Sequence, residues 1–252
     1  MRSGPRHSRT LSSATVGPSW RQSGSWPNFF AVLTEHYPRT RLVCLENTHN
    51  RAGGRILPQE RVRAIADGAH ARGLRVHLDG ARLWHAHVAT RLPLAELAAP
   101  VDSVSVCFSK ALGAPIGSVL AADEETIGTA HRYRKMLGGG MRQVGILAAA
   151  CLHALDHHLE RLAEDHAAAR RLAMGLDNPA LAVNHPVDTN IVIVDVAGPA
   201  GDAALLAHLE AGGVLGVGFG TGRVRLIPHL GTPPEAVETA LSVLNSFPGV
   251  PA

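Results

Sequence analysis

The chain has 252 residues, 46% hydrophobic and 18% charged, the composition of a globular protein with a substantial core. Its net charge is only +3, aromatic residues make up 4%, and beyond the N-terminal tail its arginines are dispersed among acids, which argues against a nucleic-acid surface. No apolar run approaches the roughly 18 residues of a membrane-spanning helix.

The first 34 residues carry Arg2, Arg6, Arg9 and Arg21, many serines, Trp20 and Trp26, and no acid precedes Glu35. They are expected to form a disordered extension; a transit peptide and a shifted gene start are the alternatives. From about residue 40 the pattern is regular. "RLVCLEN" (41–47) reads as a buried strand. "PQERVRAIADGAHARG" (58–73) reads as a helix with Pro58 in its first turn, an apolar face of Val62, Ile65, Ala66 and Ala69, and Gly73 as its stop. "LRVHLDGA" (74–81) is a strand that ends at Asp79, and 83–100 is helical with a break near Pro93. "VDSVSVCFSK" (101–110) is a strand ending at Lys110, followed by strand 117–123 and helix 124–137. This alternation predicts an α/β fold with a mainly parallel sheet.

Residues 142–176 predict one long helix, with Val144, Leu147, Cys151, Leu155, Leu159 and Leu162 on one face. The remainder predicts a small α/β unit with strands at 189–196, 214–219 and 223–228 and helices at 202–212 and 233–247. The expected division is therefore 1–34 extension, 35–175 large domain with a connecting helix, and 176–252 small C-terminal domain. Cys44, Cys107 and Cys151 form no Cys-x-x-Cys pair and are expected as buried free thiols of a reducing, cytoplasmic compartment. His153, His157 and His166 are expected on a solvated helix face, and no metal site is expected. "GVGFGTG" (216–222) has threonine where a dinucleotide fingerprint needs its last glycine.

Of 24 basic side chains only two are lysines, Lys110 and Lys135. Arginine serves as well for a surface charge but cannot be deprotonated in a protein. A position that stays lysine in such a chain is a candidate for a neutral amine, as Schiff-base chemistry requires. Asp79 and Lys110 each end a hydrophobic strand, and ligands of parallel sheets bind beyond the strands' carboxyl ends. A carboxylate facing such a lysine suits pyridoxal phosphate, whose ring nitrogen is commonly held by Asp.

"LENTHNRAGG" (45–54), "HLDGAR" (77–82), "SKALGAPIGSVL" (109–120) and "RKMLGGGMRQVGILAAA" (134–150) resemble, in order, the motifs of the low-specificity L-threonine aldolases. These are β-eliminating lyases of the fold-type I pyridoxal-phosphate enzymes. "TNIV" at Thr189 and "VRLIPHL" at Val224 resemble C-terminal elements of that family, so the likeness runs from about His36 to Phe247.

The resemblance implies a fold-type I large domain, shortened at its N-terminal side, because residues 1–34 lack the family's phosphate-cradling Gly-Thr loop and ring-stacking histidine. It implies that Lys110 binds the cofactor aldehyde, Asp79 its ring nitrogen, and Arg82 its phenolate oxygen or the substrate carboxylate. Arg225 would be the main carboxylate clamp. Lys135 and Arg142 would lie at the cofactor end of the site, and His36 and His49 near the reacting atoms. The implied reaction cleaves a β-hydroxy-α-amino acid to glycine and an aldehyde in a homodimer or homotetramer. The same residues leave open a non-catalytic subunit-pairing remnant, or another β-eliminating reaction.

Overall fold

The computed structural model describes residues 40–249. The expected extension at 1–34 and His36 lie outside the described residues. The chain runs β1 (Leu42–Glu46), α1 (Gln59–His70), β2 (Arg75–Gly80), α2 (Leu83–Thr90), α3 (Leu94–Ala98), β3 (Ser103–Cys107), β4 (Ser118–Ala122) and α4 (Glu124–Met136). It continues with α5 (Gly145–His158), α6 (Leu162–Gly175), β5 (Leu181–Ala182), β6 (Val192–Val196), α7 (Gly201–Ala211), β7 (Val217–Gly218), β8 (Arg223–Leu226) and α8 (Pro234–Asn245).

Strands β1 to β4 form one sheet in sequence order. The first three are parallel and β4 is antiparallel to β3. Along β2 the side chains alternate: Val76 and Leu78 are buried, while Arg75 and Asp79 are exposed. Val62, Ala66 and Ala69 of α1 are fully buried against that apolar face. Gly73, at φ 67° in open space, ends the helix in the left-handed conformation that glycine tolerates best. Helix α2 is buried nearly all round, with Leu83, Trp84, His85, Ala86 and Val88 inside.

The second sheet has the order β5-β6-β8-β7 and is antiparallel throughout, so the C-terminal α/β unit differs in strand direction from the first. Its core gathers β6 and β8 with Leu205 and Leu209 of α7 and Val237, Leu241 and Leu244 of α8. Helix α6 joins two clusters, burying Leu162 with Trp84, Val88, Phe108 and Leu112 beyond the end of β3, and Ala169 and Leu172 against the second sheet.

Three sequence expectations are corrected. The long helix predicted at 142–176 is two helices, α5 and α6, interrupted at 159–161. His158, at the end of α5, is held by its Nδ1 contact with the Leu112 carbonyl at 2.7 Å. His166 does not lie on a solvated face: it is 3% exposed and pairs with buried His85 at 2.8 Å. The three cysteines are free but half-buried rather than buried. Among the described residues no group of three His, Cys, Asp or Glu side chains is gathered as a metal site, and no helix is long and apolar enough to cross a membrane.

Candidate active site

The carboxyl ends of β1, β2 and β3 lie side by side, because all three run the same way. Glu46 closes β1 opposite Asp79 of β2, and Asp79 in turn faces Ser105 of β3. The chain then leaves β2 through Gly80, where an added Cβ would meet the Ser105 carbonyl at 2.9 Å. Only glycine lets the two strands approach that closely before the turn delivers Arg82. Asp79 Oδ1 accepts the Ala81 N–H at 3.0 Å, and Oδ2 has no hydrogen bond among the described residues.

Lys110 follows β3 in a turn fixed at both sides. Phe108 and Leu112 are buried, and Lys110 between them is exposed. The Phe108 N–H donates to Gly117 at 2.9 Å, and the Gly113 N–H donates to the Lys110 carbonyl at the same distance. Two apolar anchors thus hold the backbone while the amine projects from the sheet end, with no ion pair among the described residues. Trp84 supports the same turn from below. Its Nε1 donates to the Cys107 carbonyl at 2.8 Å, and its ring lies 5.4 Å from that of Phe108.

The loop after β1 carries the next group. His49 Nδ1 accepts the Ala52 N–H at 3.1 Å, so a neutral His49 ring carries its proton on Nε2. That Nε2 is buried without a hydrogen bond and lies 3.7 Å from Glu46 Oε2. As it stands, His49 offers a donor to the site rather than a base. Glu46 Oε1 accepts the Asn50 N–H at 2.9 Å, and Asn50 Oδ1 accepts Nη1 of Arg225 at 2.7 Å.

Arg225 comes from β8, in the second sheet, and the loop brings it to the first. Thr189 Oγ1 donates to the Gly54 carbonyl at 2.8 Å, and Asp188 accepts both the Ile56 N–H at 3.1 Å and Arg55 Nε at 2.9 Å. Phe219 lies under two guanidinium groups, 5.0 Å from Arg225 Cζ and 5.4 Å from Arg51 Cζ.

The electrostatics converge on an anion. Burial pushes the Arg82 pKa down, and the neighbouring Arg225 pushes it further, against Glu46, Cys107 and Asp79. Arg225 is likewise lowered, by burial first and then by Arg51. Arginine keeps its charge through such shifts, so their meaning is that these guanidinium groups are drawn out of water and crowd one another. Arg225 Nε is buried and unpaired. A planar carboxylate relieves both the repulsion and the orphaned donor. In β1, burial and then the negative charge of Asp79 raise the Cys44 thiol pKa.

Asp79, Arg82, His49 and Arg225 therefore share one end of the first sheet, and Lys110 lies in the turn beyond the adjoining strand, which ends at Cys107 rather than at the lysine as the sequence pattern suggested. Lys135 and Arg142 are exposed, on the last turn of α4 and in the loop after it, without a hydrogen bond or ion pair to that cluster among the described residues. Sequence reading missed Glu46, Asn50, Arg51 and Phe219. Glu46 was within reach of the rule that selected Asp79 and Lys110, since it too closes a parallel strand.

Residues 29–199 match the model of the beta-eliminating lyase family. Low-specificity L-threonine aldolase 1 of Arabidopsis thaliana is 43% identical over 197 residues, 77% of this chain and 55% of that protein. The low specificity L-threonine aldolase of Escherichia coli K12 is 42% identical over 212 residues, 84% of this chain and 62% of that protein. The chain thus spans less than two thirds of the length of either relative. Among solved structures, the Leishmania major threonine aldolase has a TM-score of 0.70 at 23% identity, covering 84% of this chain and 62% of that one. The Sphingomonas wittichii serine palmitoyltransferase has a TM-score of 0.64 at 20% identity, covering 83% and 55%. These likenesses are of fold, and they agree with the α/β class and mainly parallel first sheet read from the sequence.

Proposed function

The chain belongs to the beta-eliminating lyase family, and on that footing we propose that it is a pyridoxal-phosphate-dependent aldehyde-lyase. Its proposed substrates are β-hydroxy-α-amino acids of the L-threonine and L-allo-threonine type, cleaved to glycine and an aldehyde. The observation that carries this reading is a half-satisfied carboxylate, Asp79, at the end of β2 and an ion-pair-free amine, Lys110, in the turn after the neighbouring parallel β3, beside the half-buried and mutually repelling Arg82 and Arg225.

The residues present fit the cofactor at two of its ends. Asp79 Oδ2 is unoccupied by any described donor, as a partner for a protonated ring nitrogen would be, and Lys110 presents a primary amine for the aldehyde. When bound, pyridoxal phosphate supplies an electron sink for the pair released as a bond to the substrate's α-carbon breaks. Asp79 holds a proton on the ring nitrogen through its charge. Arg225, with Arg82 beside it, would grip the substrate carboxylate and so set the orientation of the bonds at its α-carbon. His49 is assigned to the β-oxygen, toward which its buried Nε2–H can donate. Lys135 and Arg142 are retained as cofactor-end cations, a role their exposed positions leave available.

We also propose a large domain at 35–175, a small domain at 176–252 and a homo-oligomeric assembly. The exposed apolar side chains of Val119, Met136, Leu137, Ile146 and Leu152 along β4, α4 and α5 support the assembly.

The test is spectroscopic and chemical. Adding pyridoxal phosphate should give a Schiff-base absorbance that Lys110→Ala abolishes, and threonine should yield glycine and acetaldehyde. No cofactor band would sink the catalytic reading and leave a subunit-pairing role. A band with ammonia and an oxo acid as products would replace aldol cleavage by β-elimination.

A further inference from the structure

We propose that Asn50 is a positioning residue for Arg225, and that its neutral amide is what keeps Arg225 receptive to a substrate carboxylate. The proposal rests on reading Arg225 as the carboxylate fork.

Asn50 is held from two sides. Its N–H donates to Glu46 Oε1 at 2.9 Å, and it opens a single 3-10 turn that His49 caps through the Ala52 N–H. From that fixed backbone its Oδ1 accepts Arg225 Nη1 at 2.7 Å, across 175 positions of sequence and from one sheet to the other. Phe219 supports the face of the guanidinium at 5.0 Å. The fork is therefore oriented by an amide and a ring, neither of which carries charge.

The acids that could have neutralised Arg225 are committed elsewhere. Glu46 is bound to the Asn50 N–H. Asp195, in the strand beside β8, takes Arg223 at 2.8 Å and Asn184 at 3.0 Å. The Nε and Nη2 side of Arg225 has no hydrogen bond among the described residues, and its Nε is buried. An amide oxygen orients a guanidinium without cancelling its charge, whereas a carboxylate in the same place would make a charge-assisted bond. A substrate carboxylate would then have to compete with a carboxylate already in position. Asparagine thus gives orientation without self-inhibition.

Stability and binding should respond in opposite orders, which separates this role from a merely structural one. The experiment uses the full chain without cofactor. The Nε–H resonance of Arg225, identified by its loss in Arg225→Lys, is followed during titration with glycine and with acetate. Melting temperatures are recorded for the same proteins. Wild type should show a saturable shift with both carboxylates. Asn50→Asp should weaken that binding about tenfold or more, the scale of one charge-assisted hydrogen bond, while melting at or above the wild-type temperature. Asn50→Ala should weaken it less and melt lower. Wild-type affinity in Asn50→Asp, or no response of the wild-type resonance to either carboxylate, would overturn the proposal. Failure of the lyase reading is seen separately, as no glycine from threonine while these shifts persist.

Discussion

Glu46 and Asp79 are register partners at the carboxyl ends of β1 and β2, and Arg82 sits in the field of both. Asp79 caps only one N–H, that of Ala81, and leaves its second carboxylate oxygen without a donor among the described residues. Replacing it by asparagine keeps the cap and removes the charge. An opposite charge within reach shifts a pKa by roughly one to three units, so turnover in Asp79→Asn should fall about ten- to a thousandfold. The cofactor absorbance due to Lys110 should persist. Unchanged turnover, measured as glycine release, would reduce Asp79 to a turn-capping residue.

Lys110→Arg tests the argument from lysine scarcity. The turn is held by Phe108 and Leu112 rather than by the lysine side chain, so the fold should tolerate the change. Arginine preserves the charge but cannot act as a neutral amine. The cofactor band should vanish, with the circular dichroism spectrum and melting temperature within error of wild type. Lys135→Arg, on the exposed end of α4, should keep the band. Retention of the band in Lys110→Arg would move the Schiff base elsewhere.

The seam between the two sheets depends on Gly54. Its φ is 72°, and an added Cβ would lie 2.5 Å from Thr189 Oγ1 and 3.1 Å from Ile191 Cβ. Both neighbours are fully buried, so neither can swing away. Gly54→Ala should cost about 1–3 kcal/mol from backbone strain and more from the clash, seen as a lower urea midpoint. Gly73→Ala, at φ 67° in open space, carries the strain alone and should cost less. Equal losses in the two variants would mean that the Thr189 contact yields easily.

Most of the first sheet was legible in the sequence, because its strands are short apolar runs bounded by polar residues and its helices repeat at 3.6. Asp79 was legible for the same reason: strand ends are visible in a pattern, and a parallel sheet gives them a common direction; Lys110 lies in the turn beyond Cys107, which the apolar run disguised as strand. Arg225 was not readable from its local pattern, which fits an edge arginine on any exposed strand; only the family resemblance marked it. What makes it part of the site is Asn50, and a contact spanning 175 positions leaves no local trace. The His49 tautomer was hidden for a related reason, since it is set by the Ala52 N–H within a single tight turn. Periodicity also concealed the break between α5 and α6, because Leu155, Leu159 and Leu162 keep helical spacing across it. Burial of His166 was missed because a histidine inside a core needs a partner, and His85 lies 81 positions earlier.

Asp165 gives a pH signature. It is 5% exposed, its Oδ2 has no partner, and burial, reinforced by Glu164 against Arg161, pushes its pKa up to about 7 from the ordinary 3.8. Between those values the unfolded chain has released a proton that the folded chain retains. The contribution to stability is therefore intact below about pH 4, is lost as the pH rises, and levels off above about pH 7. His85 and His166 act the other way. Burial holds them near 3 and near 4, so the unfolded chain gains protons first as the pH falls below 6.5. That term is common to wild type and Asp165→Asn and cancels in their difference. Asp165→Asn should be close to wild type near pH 4 and more stable at pH 7.5, by on the order of 1–3 kcal/mol, the cost of an uncompensated buried polar group. Urea unfolding at half-unit steps from pH 4 to 8 reads the difference directly. A stability gap that stays constant over that range would mean that Asp165 does not change protonation there.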